Sequence, residues 1–154
     1  MAKGPAVGDI APDFTLPSTA GSIRLAAELG QGPVLLVFYP GDDTTVCTRQ
    51  LCDYRDHPGV FADSGVRVLA LNTQSLDSHA AFAEKHELPF PLLSDTTGEV
   101  CAGYGATGLF GLTRRALFLI GRDGRVLYRQ VDLPVFRRTA AELQQVIAHE
   151  LGGG

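Results

Sequence analysis

The sequence predicts an α/β protein built on a central mixed sheet with helices on both faces. Three observations carry that prediction. Val34 to Tyr39 and Val66 to Leu71 are continuous apolar runs, which suit strands buried on both faces. A segment of helical length lies between them, so the two strands join through a helix. Further on, Ala116–Ile120 and Val126–Val131 flank Arg122-Asp-Gly-Arg125, an Asp-Gly turn that closes an antiparallel hairpin.

The remaining elements follow in order. Asp13–Leu16 and Ser22–Leu25 predict two short strands around a turn at Gly21. A helix runs from Cys47 to about His57, where Pro58-Gly59 interrupts it. Val60 to Ser64 resumes it, and Gly65 stops it. Ser75 or Ser78 caps the next helix, which reaches Glu87 and stops before Pro89. Leu92-Leu-Ser94 is a short apolar stretch, Gly98–Tyr104 a short helix, and Gly103–Gly111 a glycine-rich loop. Thr139-Ala-Ala-Glu142 has the spacing of a capping box. It opens a last helix with Leu143, Val146, Ile147 and Leu151 on one face, and Gly152–Gly154 reads as its frayed end. This order matches a thioredoxin-like fold with extra strands at the N-terminus, formed as a single domain over residues 1–154.

Composition narrows the function. The chain has 45% hydrophobic and 19% charged residues, ordinary for a globular protein. A net charge of −4 argues against binding nucleic acid or an anionic membrane surface. No apolar run approaches the length that spans a bilayer, and Met1–Asp9 lacks an apolar signal core, so the expected location is the cytoplasm. Three cysteines is an odd and sparse set, unlike a secreted disulfide framework. There is no C-x-x-C, and His57, His79, His86 and His149 lack ligand spacing, so no metal is expected.

The informative segment is Phe38-Tyr-Pro-Gly-Asp-Asp-Thr-Thr-Val-Cys-Thr-Arg-Gln-Leu-Cys52. It leads from a buried strand through a polar loop into a helix. Three features favour a thiolate at Cys47: the positive end of the helix dipole, the free N–H groups of the first turn, and any nearby arginine. Thr44 stands three residues earlier, where its hydroxyl can both donate to a bound group and accept a first-turn N–H. Pro40 ends the strand without a donor and can wall a pocket from water. Cys52 lies five residues on. In an intact helix the two Cα atoms are roughly 8.5 Å apart and the side chains point about 140° away from each other. A disulfide needs less than about 7 Å, so the pair can bond only if the first turns unwind.

The segment Pro40-x-x-x-Thr44-x-x-Cys47 resembles the peroxiredoxin active-site signature. The continuation to Cys52-x-Tyr54-Arg55-Asp56 resembles the bacterioferritin-comigratory or Q-type branch. Val7–Leu16, Val34–Pro40 and Phe118-Leu-Ile with the Asp123-Gly turn are also similar, so the resemblance spans nearly the whole chain. It implies that Cys47 is the peroxidatic nucleophile and Cys52 the resolving thiol, with Thr44 and Pro40 shaping the pocket. It also implies an arginine reaching the sulfur from a later strand. Arg115 fits that place best and Arg114 competes; strand alternation sends the two to opposite faces, so only one can serve. Thr45-Val46 departs from the Pro-Gly often found there, and Cys101 matches no resolving position, which leaves it a packing role in its helix.

The expected activity is reduction of hydrogen peroxide or alkyl hydroperoxides, without metal, haem or flavin. The resemblance implies thioredoxin or a similar dithiol protein as reductant, and a monomer. A thioredoxin-like disulfide exchanger would want the missing C-x-x-C. A non-enzymatic redox sensor using the same 47–52 switch is the alternative that sequence leaves open.

Overall fold

A computed structural model describes residues 4–42, 44–108, 111–132 and 139–151. The frayed end expected at Gly152–Gly154, and Leu109-Phe110 of the glycine-rich loop, lie outside these residues.

The chain opens with a hairpin of β1 (Thr15–Ser18) and β2 (Gly21–Arg24), followed by α1 (Leu25–Leu29). Gly21 turns the hairpin with φ +95°, a conformation that favours glycine. Helix α1 corrects the expected strand over Ser22–Leu25, because Leu25 starts a helix. Leu25 and Leu29 stack one turn apart on the buried side, and Asp13 Oδ1 accepts the N–H of Ala26 at 2.9 Å. Next come β3 (Val34–Phe38), α2 (Thr45–Asp56), α3 (Gly59–Ala62), β4 (Arg67–Asn72), α4 (Leu76–His86), β5 (Leu92–Ser94) and α5 (Glu99–Gly103). The hairpin β6 (Arg115–Ile120) and β7 (Val126–Asp132) precedes α6 (Ala140–Leu151). Ser75, the first of the two candidate caps, accepts the N–H of Ser78 at 3.2 Å. Thr139 and Glu142 form the expected reciprocal capping box.

Among the described residues, seven strands form one sheet in the order β2-β1-β5-β4-β3-β6-β7. Strand β3 runs parallel to β4 and antiparallel to β6, and β5 runs parallel to β4. Every residue of β3 is buried, as its unbroken apolar run requires. Alternation divides it between two cores. Val34, Leu36 and Phe38 pack with Phe14, Leu25, Tyr104 and Phe118 on one face. Leu35, Val37 and Tyr39 pack with Cys47, Leu51, Tyr54, Phe82, Leu143 and Ile147 on the other. The extra N-terminal strands extend the sheet at the edge beside β5. No described helix is long and apolar enough to cross a membrane.

Candidate active site

Strand β3 delivers the chain to the site. Tyr39 still donates its N–H to Leu71 O at 3.2 Å, and half-buried Pro40 then ends the ladder. The loop reaches Thr44, the N-cap residue of α2, whose extended backbone turns the chain into the helix. The helix begins at Thr45, two residues before the expected start, so Cys47 is its third residue. The predicted cap bond does not form: Thr44 Oγ1 donates to Gly41 O at 3.1 Å and accepts nothing from the first turn. Its proton closes the Gly41–Thr44 turn. The first-turn N–H groups have no intrahelical acceptor and no side-chain cap.

Cys47 is fully buried. Arg115 Nη2 donates to its sulfur at 3.0 Å. The register explains the meeting. Ala116 pairs with Phe38, so Arg115 stands one step past the end of β3, where α2 begins. Alternation resolves the choice between neighbours. Arg115 shares a face with Leu117 and Leu119, which pack in the same core as Cys47. Arg114 donates its N–H to Ala106 O, and its side chain lies against Gly108.

Arg115 is itself 1% exposed, so its charge is held almost without water. Its other arm donates to Gln50 Oε1, and Gln50 Nε2 donates to the Tyr54 hydroxyl at 2.9 Å. Gln50 and Tyr54 were not expected as site residues. The signal was available: Cys47, Gln50 or Leu51, and Tyr54 share one helical face, and a glutamine within that apolar stripe needs a buried partner. Tyr39 lies in the same core. Burial first, then the charges of Asp42 and Cys47, hold its hydroxyl well above the usual range.

Cys52 is partly exposed on the same unbroken helix, and all three cysteines are free. Cys101 is buried in α5, as the packing role expected. Burial and the neighbouring Asp95 push its thiol up to about 12. Among the described residues no group of three or more potential metal ligands occurs.

A buried thiol under a guanidinium, at an uncapped helix start on a thioredoxin-like sheet, defines a thiol-based redox protein. Residues 7–129 match the AhpC/TSA family. The chain is 39% identical over 125 residues to a protein named peroxiredoxin bcp from Coxiella burnetii, covering 77% of this chain and 83% of that one. It is 37% identical over 123 residues to a chloroplastic peroxiredoxin Q of Triticum aestivum, covering 79% of this chain and 57% of the relative. The crystal structure of peroxidoxin BcpB from Mycobacterium tuberculosis superposes with a TM-score of 0.82 at 34% identity, covering 97% of each chain. The chain therefore belongs to the AhpC/TSA family, among the peroxiredoxins. Its class of chemistry is peroxidase chemistry at a thiol, with a peroxide substrate and a dithiol reductant.

Proposed function

We propose that the protein reduces hydrogen peroxide and organic hydroperoxides through Cys47, with Cys52 as the resolving thiol. The observation that carries this reading is the 3.0 Å contact between Arg115 and the Cys47 sulfur. A buried cation beside the sulfur stabilises negative charge there before attack, and charge on the breaking O–O bond during it. The Cys47 thiolate attacks the distal oxygen, and the O–O bond breaks. Cys47 becomes a sulfenic acid, and the departing oxygen takes a proton to leave as water or an alcohol. Thr44 has committed its proton to Gly41, so its oxygen can only accept from the peroxide O–H. The first-turn N–H groups supply donors from the helix side.

Resolution requires motion. The first turns of α2 unwind, the Cys52 sulfur attacks the sulfenic sulfur, and a disulfide forms with loss of water. Thioredoxin or a similar dithiol protein then reduces it by exchange. Pro40 walls the pocket, the protein acts as a monomer in the cytoplasm, and the cycle serves antioxidant defence.

The test is stopped-flow reaction with hydrogen peroxide for the wild type, Cys47→Ser and Cys52→Ser, with mass spectrometry of the products. Cys47→Ser loses the reaction. Cys52→Ser reacts once and accumulates sulfenic or sulfinic acid at Cys47. Retained activity in Cys47→Ser would sink the peroxidase reading, and an unchanged product pattern in Cys52→Ser would sink the two-cysteine cycle. Slow oxidation without turnover by thioredoxin would instead indicate the sensor.

A further inference from the structure

A second buried polar cluster lies beneath the loop that carries Thr44 to Cys47, and the peroxide chemistry does not use it. Asp42 belongs to that loop, and its side chain is 3% exposed. Its carboxylate accepts from the Tyr39 hydroxyl at 2.6 Å and the Ser78 hydroxyl at 2.6 Å, and its Oδ2 lies 2.8 Å from His79 Nδ1, which is also 3.3 Å from the Tyr39 hydroxyl. Its backbone N–H donates to the side chain of Gln74. His79 has no exposed surface and contacts Leu93 O through Nε2 at 2.9 Å.

The donors and acceptors fix the chemistry of the pair. Leu93 O can only accept, so Nε2 carries a proton. Burial works against charge on Asp42, but the hydrogen bonds from His79, Ser78 and Tyr39 outweigh it and hold the carboxyl below its usual range. An ionised carboxylate also only accepts, so Nδ1 carries a proton too. His79 is then an imidazolium paired with Asp42. Removing either partner leaves the other as a buried, uncompensated charge.

The pair's position suggests its use. Asp42 follows Gly41, whose carbonyl holds Thr44. Thr44 caps the helix whose third residue is Cys47. Tyr39, which donates to Asp42, packs in one core with Cys47. We propose that Asp42 and His79 are positioning residues: a buried ion pair that pins the active-site loop to α4 and β5 and aims Thr44 and Cys47 at the peroxide. This rests on the peroxidase reading for its effect on rate.

The experiment uses full-length protein with Cys52→Ser as the parent, so that only Cys47 reports. Asp42→Asn, His79→Gln and the double variant are compared in two reactions of Cys47: with hydrogen peroxide and with iodoacetamide. Iodoacetamide needs a thiolate but no oriented O–O bond. Each single variant loses about 10- to 100-fold in the peroxide rate constant, in keeping with the cost of sub-ångström misplacement, and changes less than about threefold in alkylation. The double variant falls no further than the worse single, because the two residues act as a unit. Equal losses in both reactions mean a merely structural role and overturn the proposal, as does a peroxide rate within about threefold of the parent.

Two further readouts separate this proposal from the peroxidase reading. In wild-type protein, 15N NMR shows both His79 ring nitrogens protonated near neutral pH; a ring protonated on Nε2 alone overturns the ion pair. Amide exchange over residues 41–47 speeds by about tenfold or more in each single variant, and unchanged exchange refutes the clamp even if the parent never consumes peroxide.

Discussion

Cys47 and Cys101 occupy the same place in two helices. Each is the third residue after its cap, Thr44 in α2 and Gly98 in α5. Each is buried against the central sheet, on opposite faces. Helix position alone would make both thiolates. The distant strands decide otherwise. Strand β6 brings Arg115 to the Cys47 sulfur, while the end of β5 brings Asp95 to Cys101. Asp95 accepts the N–H of Cys101 at 2.8 Å and of Val100 at 3.3 Å, so its carboxylate uses the donors that α2 leaves open. Burial and that carboxylate push the Cys101 thiol up to about 12. A helix start becomes a reactive site only when its N–H groups stay unspent and the incoming charge is positive.

The comparison breaks most readily at Arg115. Arg115→Ala removes the buried cation on the Cys47 sulfur and leaves the open helix start in place. Its rate with hydrogen peroxide should fall by about 10²- to 10³-fold, the usual cost of removing one preorganised donor from a developing charge. Arg115→Lys keeps the charge but not the two-armed contact to Cys47 and Gln50, so its rate should lie between the two. Stopped-flow measurement decides. An Arg115→Ala rate within about threefold of wild type would mean that the helix, and not the guanidinium, activates Cys47.

At Cys101 the contrast predicts a pH effect on stability. In the unfolded chain the thiol ionises near 9.0, while in the fold it stays protonated to about 12. Between those values the unfolded chain binds fewer protons, so rising pH favours unfolding. The slope from this one thiol is at most about 1.4 kcal/mol per pH unit. Tyr104 is also held above its ordinary value, by burial and by Asp13, and contributes a loss of the same sign. The difference between wild type and Cys101→Ala isolates the cysteine. At neutral pH the variant is less stable by about 1 kcal/mol, from the small cavity. Above pH 9 its loss of stability is shallower, and the two denaturation curves converge or cross. Parallel curves up to pH 11 would show that burial and Asp95 do not hold the thiol protonated. Peroxide consumption by Cys101→Ala stays at the wild-type rate.

The sequence showed one half of this contrast more clearly than the other. The runs at Val34 and Val66 and the Asp-Gly hairpin were legible because strands buried on both faces read as unbroken apolar stretches. Cys47 and Thr44 were legible as neighbours at one helix start because they lie within one local segment. Arg115 was readable only as a pairing of strand alternation with resemblance, since its meeting with Cys47 depends on the β3–β6 register. Asp95 and the Asp42–His79 pair were not readable. Their partners lie on other elements, and a lone Asp or His in sequence does not show what it faces. The missed helix α1 had a signal, Leu25 and Leu29 one turn apart, but it was too short for a period to stand out. The misassigned bond of Thr44 has a similar cause, because a hydroxyl at a cap can donate backwards as readily as it accepts forwards.

A third helix start sharpens the comparison and gives the smallest expected effect. Helix α6 begins at Ala140, and its first N–H is taken by a residue of α2: Asp53 Oδ2 accepts it at 2.7 Å. Asp53 directly follows Cys52. Thus α2, whose own start is uncapped, caps another helix next to its second cysteine. In the reduced protein Asp53→Ala should cost about 1 kcal/mol, the ordinary value of a lost cap, read as a melting temperature lower by about 2–4 °C. The capping box of Thr139 and Glu142 remains and keeps the loss from being larger. If a 47–52 disulfide unwinds α2 as far as Cys52, Asp53 has already left Ala140 in the oxidised protein, and the same substitution then costs less than half as much. An equal penalty in both redox states would mean that unwinding stops short of Asp53. The motion would then be confined to the turn around Cys47, and the open helix start, whose N–H groups and sulfur perform the chemistry, would also set the limit of the conformational change.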